Sequence, residues 1–302
     1  MDERDWLAQR FQEHRPRLRA VAYRMLGSTS EADDALQEAW IRLSRSNAGE
    51  EIDNLQAWLV TVVGRVALNT LRSRKSRREE LLDAHLPDPI VDRAEGIDPE
   101  HEALLADSVG LALLVVLEEL TPAERLAYVL HDMFSVPFDQ IGAILERSPQ
   151  AARQLASRGR RRIRSAHTTP HAADAPAQEQ EEVVEAFLAA ARDGEFDALL
   201  AVLDPDIVER VDTGSGTIFE VRGALNVARR AMAASQRDGL VGRPALINGA
   251  LGWVSVLDGE LFAIAALTLY NGRITRMEIL LDPARLARLD PTDFLTDFDS
   301  RL

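Results

Sequence analysis

The sequence predicts a multi-domain protein in which two all-α modules precede one α+β domain. Apolar residues recur with the 3.6-residue period of amphipathic helices from the start of the chain to about residue 165. Beyond about residue 200, β-rich runs separated by turn dipeptides indicate strands. The chain has 302 residues, enough for about two domains of roughly 150 residues.

Breaks in the periodicity divide the chain. We expect a first helical module at 1–78, a linker at 79–103, a second helical module at 104–166, a linker at 167–178, the α+β domain at 179–290 and an acidic tail at 291–302. The first linker contains Pro87, Pro89 and Pro99, which disfavour helix and favour extended backbone.

Charge is distributed unevenly along the chain. Acidic residues outnumber basic ones by 49 to 35, and the net charge of −14 argues against binding of nucleic acid over the whole surface. Basic residues cluster at 65–78 and 153–164, which suits two local DNA contacts. The alternative is that these helix ends are solvated and interact with the helix dipole.

Cysteine is absent, which excludes disulfides and thiolate metal sites and fits a reducing cytoplasmic location. The start of the chain does not resemble a secretory signal, and no apolar stretch is long enough to span a membrane. We therefore expect a cytoplasmic protein with no membrane contact, no metal site and no cofactor.

The first module is predicted to contain three helices. Gly27 ends the first helix, and Ser30 with Asp33 resembles a capping box for the second. Asp53-Asn54 begins the third, whose basic track and Trp58 favour binding of unpaired bases, although Trp58 also fits a core position. The candidate contacts are Trp58, Thr61, Arg65, Asn69, Arg72, Arg74, Lys75, Arg77 and Arg78.

The second module carries a helix-turn-helix pattern at about 139–164. Thr121-Pro122-Ala123-Glu124 predicts a capped helix start before it. Its second helix is rich in Gln and Arg, which form bidentate bonds to adenine and guanine, but an ordinary helical hairpin is the alternative. The candidate DNA contacts are Gln150, Arg153, Gln154, Ser157, Arg158, Arg160 and Arg161.

The α+β domain is predicted from helices followed by a curved antiparallel sheet with a cone-shaped interior. Helices are expected at 181–192, 196–203 and 224–236. Strands are expected at 207–211, 217–221, 245–247, 252–257, 261–270 and 274–281. Asp258-Gly259 and Asn271-Gly272 are typical of hairpin turns.

Residues 6–165 resemble the extracytoplasmic-function (ECF) sigma factors. The run from Tyr23 to Leu43 is similar to sigma regions 2.1–2.2, residues 57–74 to regions 2.3–2.4, and Leu120-Thr-Pro-Ala-Glu-Arg with the helix-turn-helix to region 4. The resemblance implies that the basic third helix holds the melted −10 element and that the helix at 149–164 reads the −35 element. Asn69 stands where the family commonly has Asp.

The resemblance also implies partners, namely promoter DNA and the β and β′ subunits of core RNA polymerase. Region 4 would contact the flap of β. The second helix would contact the clamp coiled coil of β′, although its acidic face also fits a solvated surface. The residues implied in the β′ contact are Asp33, Asp34, Gln37, Glu38 and Trp40.

The C-terminal part resembles the SnoaL-like (NTF2-like) extension of SigJ-like ECF sigma factors, which is thought to control sigma activity in cis. Three segments of this chain each resemble a motif of that group. Leu86-Pro-Asp-Pro resembles the motif Trp-Leu-Pro-Glu-Pro, Asp212-Thr-Gly-Ser-Gly resembles Asp-Gly-Gly-Gly-Lys, and Asp282-Pro-Ala-Arg-Leu resembles Asn-Pro-Asp-Lys-Leu. The implied regulatory or interdomain residues are Leu86, Pro87, Asp88, Pro89, Asp212, Gly214, Gly216, Asp282, Pro283 and Arg285.

Catalysis by the extension is disfavoured, because no His, Lys or Cys follows residue 178. Only a carboxylate deep in the cone, such as Asp212 or Glu278, or else Tyr270, could serve as acid or base. We favour a packed, non-enzymatic regulatory domain over a small-molecule pocket. Two alternatives remain: a ligand-sensing helix-turn-helix regulator that does not bind polymerase, and an enzyme fused to a DNA-binding module.

Overall fold

A computed structural model describes residues 3–45, 52, 54–81, 85–93, 110–165 and 177–289. The chain forms two compact units. The first is built from Met1–Leu81, Pro99–Asp107 and Leu114–Thr169, and the second from Leu82–Asp98, Ser108–Leu113 and Pro170–Leu302. Among the helices of the described ranges, none combines the length and apolarity that crossing a bilayer requires.

The first three helices are α1 (Glu3–Leu26), α2 (Thr29–Arg45) and α3 (Leu55–Leu81). Gly27 ends α1 with a positive φ, as predicted. The expected cap at Ser30 is wrong, because α2 already begins at Thr29 and Ser28 Oγ accepts the Glu31 N–H at 3.5 Å. Asn54 caps α3 as predicted, with its Oδ1 accepting the Ala57 N–H at 2.9 Å.

The second helical module contains α4 (Leu111–Glu118), α5 (Pro122–Tyr128), α6 (Phe138–Leu145) and α7 (Pro149–Ser165). A π-helical turn, Val129–Met133, extends α5. The predicted capping box is confirmed: Thr121 Oγ1 accepts the Glu124 N–H, and the Glu124 carboxylate accepts the Thr121 N–H.

Most of both helical modules belongs to the first unit, where they share packing, whereas Ser108–Leu113 belongs to the second unit. Gly64 of α3 lies against Ile144 of α6 and Leu130, at 3.5–3.6 Å from the position that a β-carbon would take. Buried apolar residues from α1, α3 and α5, including Met25 and Leu126, complete the interior. The helix-turn-helix is therefore packed directly against the basic third helix.

The second unit is built on a seven-stranded sheet with strand order β1-β4-β5-β6-β7-β2-β3. Its strands are β1 (Val91–Arg93), β2 (Leu203–Asp212), β3 (Ile218–Arg222), β4 (Leu240–Ile247), β5 (Ala250–Leu257), β6 (Glu260–Tyr270) and β7 (Arg273–Leu280). Neighbouring strands are antiparallel except β2 and β7, which are parallel.

The described part of this unit also contains the helices α8 (Ala177–Asp193), α9 (Phe196–Val202), α10 (Ala224–Ser235) and α11 (Pro283–Leu286). Phe187 of α8 and Val227 of α10 pack with Trp253 and Met277 of the sheet in one buried cluster. The predicted fold class, two all-α modules and an α+β domain, is confirmed.

Two features of the sheet differ from expectation. Strand β4 begins at Leu240, five residues earlier than predicted, because Gly242 and Pro244 obscure its first half in the sequence. Strand β1 comes from the segment expected to be a linker, and Val91 pairs with Ile247 in antiparallel register. The 85–93 segment is thus an edge element of the α+β unit.

Candidate functional site

Helix α7 presents one polar, cationic face. Ala152, Leu155, Ala156, Gly159 and Ile163 are buried, which turns the remaining positions outward. Of the predicted DNA contacts, the exposed ones are Gln150, Arg153, Gln154, Ser157, Arg158 and Arg161. These six exposed side chains lie on one face of the helix, and all can donate hydrogen bonds to base edges in the major groove or to phosphates.

Arg160 does not share this face. Its guanidinium is half-buried and pairs with Asp132 at 2.7 Å. Burial raises the pKa of Asp132, while Arg160 counteracts this. Arg160 therefore anchors α7 to the π-helical turn, and its role in the structure is an intramolecular one.

The predicted −10 residues divide into two groups along α3. Arg65, Asn69, Arg72 and Lys75 are exposed, at spacings that place them close together on the helix surface. Trp58 and Thr61 are half-buried. The side chains of Arg77 and Arg78 lie outside the described part of the chain.

Arg74 is held inside the first module rather than presented to a ligand. It donates to the Leu26 carbonyl oxygen at 2.8 Å and forms a bidentate pair with Glu31 of α2. These contacts join the end of α1, the start of α2 and the C-terminal third of α3. Arg74 thus stabilises the angle between these helices.

The remaining α3 surface is in part occupied by the helix-turn-helix. Gln140 Nε2 of α6 donates to the Ala57 carbonyl oxygen at 2.7 Å and to Thr61 Oγ1 at 3.3 Å. Arg65 donates to the Ala143 carbonyl oxygen at 3.2 Å. Two predicted −10 contacts, Thr61 and Arg65, are therefore engaged by the second module.

Arginines of α1 and α5 add a second set of contacts between the modules. Arg17 donates to the Phe134 carbonyl oxygen at 2.8 Å, and Arg24 lies with its guanidinium 4.8 Å from the centre of the Phe134 ring. Arg125 donates twice to the Arg24 carbonyl oxygen, at 3.1 and 3.2 Å. The sequence did not single out Arg24 as a buried contact residue, although a cation inside an apolar run could have indicated one.

Helix α2 carries the residues expected at the polymerase. Asp34 and Gln37 are exposed and face outward. Asp33 pairs with Arg19 and Glu38 with Arg42, each at 2.8 Å. The ring of Trp40, also half-buried, packs 5.3 Å from that of Phe11. Exposed acidic and amide groups beside an aromatic anchor form a surface suited to a protein partner.

The three segments that resemble the extension motifs meet at one place in the second unit. Arg285 donates to Asp212 Oδ2 at 2.8 Å and to Asp88 Oδ1 at 2.6 Å. Asp212 is fully buried and also accepts the N–H groups of Leu86 (2.8 Å) and Gly214 (3.0 Å). We call Asp88, Asp212, Asp282 and Arg285 the linker clamp.

The backbone around the linker clamp is shaped for close approach. Gly214 has φ +77°, and a β-carbon there would lie 2.6 Å from the Asp282 carboxyl carbon, so only glycine fits. Asp282 caps α11 by accepting the Ala284 N–H at 2.9 Å. This cap orients the short helix that presents Arg285.

Other predicted regulatory residues surround the clamp. Leu86, Pro87 and Pro89 are buried, and His85 Nδ1 lies 3.6 Å from Asp212 Oδ1. Gly216 lies in the exposed turn between β2 and β3, and Pro283 is the first residue of α11. The linker is further secured where the side chain of Asn248 accepts the Ile90 N–H and its backbone N–H donates back to the Ile90 carbonyl.

The two carboxylates expected deep in the cone do not lie there. Asp212 belongs to the clamp. Glu278 lies between Met277 and Ile279, whose side chains line a cavity between α8, α10 and the sheet, so strand alternation directs Glu278 to the opposite face. Burial raises the pKa of Glu278 to about 7, against the opposing effect of Arg276. Glu209 does line the cavity, although nothing in its sequence context singled it out.

Comparisons with known proteins cover nearly the whole chain. Residues 10–77 match the family model "Sigma-70 region 2", and residues 110–163 match "Sigma-70, region 4". The chain is 35% identical over 287 residues to the ECF RNA polymerase sigma factor SigJ of Mycobacterium tuberculosis, which covers 90% of this chain and 91% of that protein. A probable ECF sigma factor of the same organism, SigI, is 34% identical over 95% of this chain and 97% of its own length.

The fold is also shared with a solved structure. The crystal structure of M. tuberculosis SigJ superimposes with a TM-score of 0.73 at 31% identity, and the match covers 93% of this chain and 98% of that one. The likeness thus includes the α+β extension as well as the two helical modules. On this evidence the chain belongs to the extracytoplasmic-function family of RNA polymerase sigma factors, which initiate transcription and are not enzymes.

Proposed function

We propose that this chain directs core RNA polymerase to promoters by holding the melted −10 element on α3 and reading the −35 element with α7. The exposed cationic face of α7 and the Arg65–Lys75 face of α3 support these two roles, because both are local basic surfaces on an acidic chain. The exposed acidic face of α2 supports a contact with the β′ clamp.

The packing of the helix-turn-helix on α3 indicates a closed form that must open on promoters. The −10 and −35 elements lie about 25 nucleotides apart, or about 85 Å along B-form DNA. A compact unit of about 150 residues has a radius of gyration of only about 15 Å. Regions 2 and 4 therefore have to separate before both elements can be read, and the Gln140 contacts to α3 must break.

We propose that the extension controls that separation through the linker. About 30 residues join α3 to α4, and at roughly 3.4 Å per extended residue they could span about 100 Å. Residues 85–93, however, are bound to the extension by the clamp and by β1 pairing with β4. We infer that the extension acts in cis as a restraint that limits how far region 4 can move from region 2.

Reconstituted transcription tests this proposal. Core polymerase with the full chain is incubated with a pool of genomic fragments, and the 5′ ends of the transcripts are sequenced. We expect initiation at a common pair of −35 and −10 sequences, lost when Arg158 and Arg161 are both replaced by Ala. A chain that binds DNA but neither joins core polymerase nor supports specific initiation would favour the simple helix-turn-helix regulator instead.

The restraint has its own test in the same assay. Arg285→Met should raise the amount of transcript initiated at limiting core polymerase. A linker released from the extension lowers the free energy needed to separate regions 2 and 4. Arg288→Met is the matched control, since Arg288 is exposed and close by on the chain. Lower initiation by Arg285→Met would contradict a restraining role for the extension.

A further inference from the structure

The α+β unit contains a cavity that neither promoter recognition nor the clamp uses. Its volume is about 430 Å³, within the range of roughly 300–1,000 Å³ that small-molecule sites occupy. It lies between α8, α10 and the sheet, and its walls include Phe187, Val211, Trp253, Met277 and Ile279. A solvent-connected space of this size with aromatic and aliphatic walls favours an apolar ligand body.

The polar groups of the cavity are few and mostly cationic. Arg192, Arg230 and Arg237 contribute to the lining, against one carboxylate, Glu209. Arg230 pairs with Glu209 at 2.8 Å, and Arg192 has Asp193 at 3.5 Å. The excess of positive charge at the cavity contrasts with the net charge of −14 of the chain.

Arg237 is the group best placed to meet an anion. It is exposed, and its guanidinium stacks 5.0 Å from the centre of the Phe262 ring, which also lines the cavity. A stacked guanidinium keeps its N–H donors in the plane, where they can form two parallel bonds to a carboxylate. Glu209, whose pKa burial raises, lies deeper and is already paired, so it does not oppose an anion at Arg237.

We propose that this cavity binds a small monocarboxylic acid, with its apolar body against Trp253 and Phe187 and its carboxylate on Arg237, assisted by Arg192. The site lies next to the linker clamp. Val211 and Leu281 line the cavity, and the residues that follow them, Asp212 and Asp282, belong to the clamp. An effect of the ligand on the linker rests on the proposed cis control, whereas binding itself does not.

Titration calorimetry on the full chain tests the proposal with two probes of similar shape, 2-naphthoate and the neutral 2-naphthalenemethanol. We expect the carboxylate to bind about tenfold more tightly than the alcohol, as one charge-assisted bidentate contact provides. Arg237→Gln should bring the ratio close to one. Arg229→Gln, on the preceding helix α10 but outside the cavity lining, should leave the ratio as in the wild type.

A cavity-filling variant locates the site. Ala231 of α10 lines the cavity, and Ala231→Phe should weaken both probes at least tenfold. No binding of either probe to the wild type, an unchanged ratio in Arg237→Gln, or wild-type affinities in a folded Ala231→Phe would each overturn the proposal. If Ala231→Phe does not fold, the ratio in Arg237→Gln decides alone. None of these readouts depends on transcription.

Discussion

Arg285→Met should loosen the linker from the extension without unfolding the sheet. The Arg285 side chain is 13% exposed, and its ion pair with Asp88 joins the linker to the extension. A hydrogen bond between ionised groups contributes about 1.5–3 kcal/mol, and the lower end applies because Asp88 is 28% exposed. In the variant, Asp212 would also be buried without its cation, which further weakens the binding of the linker to the extension.

Hydrogen exchange of the Leu86 and Ile90 amides measures this loss, because both donate to side chains of the extension. We expect exchange about ten- to a hundredfold faster in Arg285→Met, at 1.4 kcal/mol per factor of ten. Amides in β5 and β6 should be unaffected, and Arg288→Met should behave as the wild type. Unchanged exchange at Leu86 and Ile90 would refute the clamp as the element that holds the linker.

Three further predictions concern single residues. Because the pKa of Glu278 is raised from 4.5 to about 7, the protonated side chain favours the folded state. This contribution to the free energy of unfolding is complete below pH 4.5 and falls by about 3 kcal/mol as the pH rises through 7. Glu278→Gln should therefore flatten the fall in melting temperature between pH 5 and 8. Gly142→Ala should destabilise the first unit by about 1–3 kcal/mol in thermal melts, because its β-carbon would lie 2.7 Å from the Arg147 carbonyl oxygen, whereas exposed Ala143→Ser should not. Arg158→Gln should weaken DNA binding and lower the slope of log affinity against log salt by about one, and an unchanged slope would exclude a phosphate contact.

Local signals were sufficient for most elements of the fold. Asn54 and the Thr121–Glu124 box act within four residues, so their sequence context determines them. Ser28 and Ser30 show the limit: consecutive hydroxyl residues offer competing caps, and the one that lies just outside the first turn is used. Strand β1 could not be predicted, because its partner Ile247 is remote in sequence and the prolines on either side of β1 resemble a linker.

The candidate site shows a similar division. A helix rich in Gln and Arg indicates a surface for DNA, but its sequence cannot tell an exposed arginine from one with an intramolecular partner. Arg74 and Arg160 are therefore placed among DNA contacts by pattern, while the structure pairs them with Glu31 and Asp132. The clamp depends on three segments that only tertiary folding brings together, which is why Asp88, Asp212 and Arg285 could each be named from the sequence but their pairing could not.

Separation of regions 2 and 4 on joining polymerase is the central claim, and a distance measurement tests it most directly. The chain has no cysteine, so Ser44→Cys and Ser165→Cys can be labelled as a specific donor–acceptor pair, both positions being exposed. We predict high energy transfer in the free chain, from the closed form, and a large decrease when core polymerase and promoter DNA are added. Equal transfer efficiency in the free chain and in the promoter complex would contradict the account.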